Sequence, residues 1–227
     1  MRGRTGAKKG RRDFSLNRWT ATFRRPDRER AFLRQLLPQT QSQLRIALIV
    51  CAVFYVAFAL SDVAVLGYSD KALQLFMARA LVAVAAALGV FALARQPQSI
   101  RAPSVVATAV EVVGMSAFMP VVLHRPHEIP WHAMSMSIML VVVHLFIPNS
   151  FVNATAVSIA TTVVFSLLAI HVGALSVSDT LTMTMLLVLV NTVGIIAAYR
   201  YQCLGRRQFR AQSILRHLSF RDHLTGC

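Results

Sequence analysis

Six stretches of about 20 apolar residues, each almost free of charge, constrain this chain more than any other feature. The rest of its 227 residues cannot supply enough polar surface to shield all six from water. The reading is therefore all-α: a polytopic membrane protein with six transmembrane helices and a cytoplasmic exit helix. The spans are placed at 46–66, 72–94, 104–123, 131–147, 151–175 and 181–198. The fourth is short, so four or five spans are the alternatives if it is re-entrant.

Only 15% of the residues are charged, against 56% hydrophobic, and the charge is segregated. Of 24 Lys and Arg, 13 lie in residues 1–45, two (Arg95 and Arg101) in the loop between spans two and three, and six in residues 200–227. The alternate connections hold only Lys71 and Arg125, together with Asp62, Asp70, Glu128 and Asp179. The positive-inside rule then puts both ends in the cytoplasm. The same basic segments make anionic lipid headgroups the expected partner. Nucleic acid is not expected, because no aromatic or groove-reading motif accompanies the charge. Residues 1–45 lack the short apolar core and small-residue cleavage site of a secretory leader, and read as a disordered basic tail with an amphipathic end. Cys51, Cys203 and Cys227 have no metal-type spacing and imply no disulfide framework.

Charge inside a span is costly and points to function by default. Arg79 in span two and Glu111 in span three are deep enough in adjacent helices to form a pair. That pair either locks helix packing or acts as a switch. Between spans three and four, His124, His127, Glu128 and His132 fall within nine residues. Such a group suits zinc or copper, or a response to external pH, or is a solvated loop with Trp131 as interfacial anchor. His144 and His171, near span ends, read as interfacial or hydrogen-bonded inside the bundle. Ser and Thr recur through spans five and six, where they bond to their own or neighbouring helices. The Pro148-Asn149-Ser150 link reads as a tight turn.

No proline interrupts residues 181–227. Leu204, Ala211 and Leu218 repeat every seven residues, with Ile214 at the intermediate position and Arg207 spoiling the other. Residues 199–221 are thus read as a cytoplasmic signalling helix. It either pairs with a second copy, making a homodimer, or lies on anionic lipid.

Several residues together carry a resemblance. They are Pro148-Asn-Ser-Phe151, Asn191-x-x-Gly194, Arg206-Arg207-x-Phe209 and the terminal Asp222-x-Leu224-Thr225-Gly226. Over about residues 33–227 the chain resembles the six-helix membrane sensor joined to GGDEF domains of bacterial diguanylate cyclases, with residues 222–227 at the start of that domain. The resemblance implies a dimeric output enzyme that condenses two GTP into cyclic di-GMP with bound magnesium. Those cofactors belong to the catalytic domain, whose Gly-Gly-Asp/Glu-Glu-Phe loop does not occur here, so no catalytic residue carries over. Cys227 stands where the family usually has Leu. The expectation is a sensory input module for an unknown signal, separated from its enzyme. The rival expectations are a small transporter or channel, and a stand-alone membrane adaptor.

Overall fold

A computed structural model describes residues 15–17 and 19–225, with side chains through residue 216. Residues 1–14 of the basic tail, and Gly226 and Cys227 of the terminal motif, lie outside the described residues. Every extended element is a helix: α1 (Pro26–Ala57), α2 (Ala59–Leu66), α3 (Asp70–Arg95), α4 (Ala102–His124), a 3-10 turn (Pro126–Glu128), α5 (Ile129–Leu145), α6 (Phe151–Val172) and α7 (Val177–Thr225). No strand occurs among the described residues; an isolated antiparallel bridge joins Leu16 to Phe23. Six segments are long and apolar enough to cross a membrane, with α1 and α2 together forming the first. The chain is an all-α polytopic membrane protein.

Local chemistry sets the helix ends. Pro26 opens α1, where its missing N–H costs nothing. The Ser69 hydroxyl accepts from the Ala72 N–H at the start of α3, and Ser150 does the same for Asn153 at the start of α6. Gly173 ends α6 in the left-handed conformation, at φ 65°.

The bundle is built in two halves. In one, α3 packs against α1 and α4; in the other, α7 packs against α5 and α6; contacts between α4 and α6 join them. Leu44, Leu48, Ala86, Leu93 and Ala107 fill the first half. Leu75, Met115, Phe118, Val122, Met136, Leu140, Phe165 and Leu187 fill the second and reach across to the first. The outward positions are also apolar, as Leu60, Leu88, Ile138, Leu167 and Met185 illustrate. Many polar side chains in the spans instead turn inward, and Asp62, Arg79, Glu111, His144, Ser158, Thr162 and Asn191 are all buried. That inversion suits hydrocarbon as the surrounding medium.

Two helices, α1 and α7, are longer than the roughly 20 residues a bilayer crossing needs and extend on the side of the chain ends. α1 begins at Pro26, so the expected tail boundary at residue 45 falls inside a helix, and residues 26–45 are ordered rather than a loose tail. α7 runs 49 residues without a break, roughly 74 Å at 1.5 Å per residue.

Candidate functional site

Three polar clusters occupy successive levels of the bundle. The first lies at the end away from the chain termini and is built from charge. The first span is interrupted at Phe58, between α1 and α2. Arg79 of α3 reaches into this interruption, and its Nη1 donates to the Tyr55 carbonyl at 3.1 Å. A side chain inserted into the backbone ladder is a recognised cause of a helix break. The same guanidinium holds Asp62 of α2 with two bonds, Nε to Oδ2 at 2.6 Å and Nη2 to Oδ1 at 3.2 Å. The Tyr55 ring centroid lies 5.4 Å from Arg79 Cζ, and the Tyr55 hydroxyl donates to the Gly114 carbonyl at 2.8 Å.

Asp62 has a second cation. Arg125, in the turn after α4, donates from Nη1 to Asp62 Oδ1 at 2.7 Å and to Ser61 Oγ at 3.1 Å, while its Nη2 pairs with Glu128. Asp62 is 1% exposed, Arg79 5% and Arg125 8%, so the pairs are desolvated. Two arginines and two carboxylates cancel formally, as a buried charge cluster must.

The expected Arg79–Glu111 pair is not formed. Arg79 lies nine residues into α3, about 14 Å, whereas Glu111 lies about 20 Å back from the end of α4. Asp62, on the neighbouring arm of the same hairpin, is closer to the guanidinium and takes it. The side chains of the histidine-rich segment do not converge on one point. His124 bonds Pro120 O through Nδ1 at 2.8 Å and the Gln74 amide through Nε2 at 3.0 Å. His132 is buried, with Nε2 3.2 Å from Arg125 O and its ring edge-on to Phe118. Glu128 is taken by Arg125, and His127 is exposed. The rings of His124 and His132 are held by different neighbours, and no group of three metal-type ligands converges among the described residues.

The second cluster forms a seam on the side of the chain ends. Asn149, expected as a turn residue, is its hub. Asn149 Nδ2 donates to Glu111 Oε2 at 2.8 Å and to Thr108 Oγ1 at 3.0 Å. Ser104 Oγ donates to Asn149 Oδ1 at 2.8 Å. Gln202 of α7 donates to the Asn149 carbonyl at 3.0 Å. Nearby, His144 Nε2 lies 3.0 Å from Asn191 Oδ1, and Asn191 Nδ2 donates to Thr162 Oγ1 at 3.0 Å. Gly194 lies against the same imidazole: a Cβ at this position would sit 2.4 Å from His144 Cδ2. Asn191 and Gly194 therefore share one role, one bonding the ring of α5 and the other making room for it.

The third cluster lies past the apolar core of the bundle, where α1 clasps α7. Arg206 donates to both oxygens of Glu29, at 2.6 and 3.2 Å, and its Nη1 donates to Gln202 Oε1 at 3.0 Å. The guanidinium lies over the Phe32 ring, 4.7 Å from its centroid. Phe23, Phe32 and Phe209 form a triangle of rings with centroids 5.5 to 6.0 Å apart. Arg206 and Phe209 are thus buried against α1, whereas Leu204, Arg207, Ala211 and Ile214 remain exposed. The side chain of Leu218, and those of Asp222, Leu224 and Thr225, lie outside the described residues, though the helix continues to Thr225.

Sequence reasoning missed Asp62, Arg125, Asn149, Gln202 and Glu29 as members of these clusters. A count of charge near the membrane level offered one signal: Asp62 and Arg125 both border apolar spans. No protein-family model matches the chain, and neither a curated protein nor a solved structure matches it.

Proposed function

We propose that this chain is the membrane-embedded input module of a signalling protein, and that α7 carries its state to a cytoplasmic diguanylate cyclase domain. The observation that carries this reading is the continuity of α7. One helix leads from Asn191 and Gly194 inside the bundle, through Gln202 and Arg206, to the Asp222-x-Leu224-Thr225 segment. Both chain ends lie in the cytoplasm of a bacterium, on the basic side of the inner membrane. The arginine-rich segments rest against anionic headgroups. Magnesium and GTP act in the output domain.

The two faces of α7 support a dimer. One is taken by α1 through Arg206 and Phe209, and the other presents Leu204, Ala211 and Ile214 to a second copy. A signal shifts output only by its unequal affinity for the two packings of the bundle.

The test is a fusion of residues 1–225 to the catalytic domain of an active diguanylate cyclase, with one to seven alanines inserted after Leu215. Cyclic di-GMP output should vary with insertion length and return at seven, the coiled-coil repeat. Output that is flat across the series would sink the proposal.

A further inference from the structure

We propose that Glu111 is a proton-binding site, and that its proton sets the state of α7. Glu111 is 4% exposed in the middle of a membrane span. One carboxyl oxygen accepts from Asn149 at 2.8 Å; the other, Oε1, is buried with no hydrogen-bond partner among the described residues. A carboxylate left this way in hydrocarbon carries an uncompensated charge, which membrane interiors tolerate poorly. A bound cation or a proton removes it.

No protein cation does so among the described residues. The helices packed against α4 are α1, α3, α5 and α6. Their charged and titratable groups within the membrane segments are Arg45, Cys51 and Tyr55 on α1, Arg79 and Arg95 on α3, His132 and His144 on α5, and His171 on α6. At the start of α3, Asp70 and Lys71 border the opposite face. None forms a salt bridge with Glu111. Arg79 is held by Asp62, His132 by the Arg125 carbonyl, His144 by Asn191, and Tyr55 by the Gly114 carbonyl. A metal ion would have to break the hydrogen bonds that Ser104, Thr108 and Asn149 make with one another.

A hydrogen-bonded chain couples Glu111 to α7. Asn149 bridges Glu111 and Gln202, Gln202 bonds Arg206, and Arg206 pairs with Glu29. Loss of the proton charges Glu111, draws water or Asn149 toward it, and loosens the Gln202 contact. This last step rests on the function proposed above; the proton itself does not.

The experiment is infrared difference spectroscopy of the full chain in liposomes, between acid and alkaline media. A protonated-carboxyl C=O band should disappear at alkaline pH, be absent in Glu111→Gln, and move in frequency in Glu111→Asp. A titrating band that is unchanged in both variants, or no titrating band, overturns the site. A band removed by sodium at fixed pH overturns the proton in favour of a cation. Hydrogen exchange at residues 199–210, compared at one alkaline pH, should be several-fold faster in wild type than in Glu111→Gln, and equal in acid. Equal exchange in both media with the band present overturns the link to α7 and leaves the site standing. Failure of the alanine series with this band intact would discard only the cyclase reading.

Discussion

Asp62 illustrates how one residue organises a region. It accepts from two arginines contributed by different segments and is almost fully buried. Replacing it by Asn leaves Arg79 and Arg125 close together with only Glu128 to balance them. Breaking one partner of a buried ionic cluster typically costs about 3–5 kcal/mol. Asp62→Asn should therefore destabilise the folded chain by that order in reversible unfolding from detergent micelles. Asp62→Asn with Arg79→Gln should recover part of the loss, because the excess charge is gone. Equal stability of the single and double variants would show that the two side chains do not act together. Residue-level legibility was uneven for a physical reason. Arg79 and Glu111 announced themselves because charge is rare mid-span. Their partners did not, because partner choice depends on hairpin geometry and on a helix break that no glycine or proline marks.

At the scale of the element, α1 and α7 are the informative pair. Their outer turns carry many arginines and read from sequence as solvated or lipid-facing. Yet Phe23, Phe32 and Phe209 bury against one another, and Glu29 neutralises Arg206. The heptad trace on α7 was legible. Its true division into a face covered by α1 and an open face was not, because Phe209 and Arg206 contact residues about 177 positions away in sequence. Removing the clasp should free residues 23–36, which carry its α1 side, without unfolding the bundle, because Leu44 stays in the core. Arg206→Gln or Phe209→Ala should raise trypsin cleavage between Arg24 and Arg34 by about tenfold, the factor that 1.4 kcal/mol represents. Unchanged cleavage would mean that the segment is held elsewhere.

For the whole molecule, span number and helical class followed from hydropathy, because a bilayer demands a minimum length and internal backbone satisfaction. The structure has six helical segments able to span; the middle four lie within about five residues of those expected, whereas the first begins at Pro26 and the last continues to Arg216. Sidedness is a separate matter, argued from lysine and arginine alone. It predicts that Tyr68→Cys and His127→Cys, both at exposed positions, react with a membrane-impermeant maleimide on intact cells with the outer membrane opened. Gln98→Cys should react only after the inner membrane is breached. The reverse pattern would invert the protein and place any domain after α7 outside the cytoplasm.

The clasp at Arg206 also gives α7 a fulcrum. Asn191 lies 15 residues on one side of it and Thr225 lies 19 on the other, arms of roughly 22 and 28 Å at helical rise. A rod pinned there swings its far tip opposite to its near one, with a gain slightly above unity. A sideways displacement of 1 Å at the buried imidazole would emerge as about 1.3 Å in reverse at Thr225. In a symmetric pair both tips would move together or apart, so a sub-ångström repacking around one histidine becomes a change in the spacing of whatever the two helices carry.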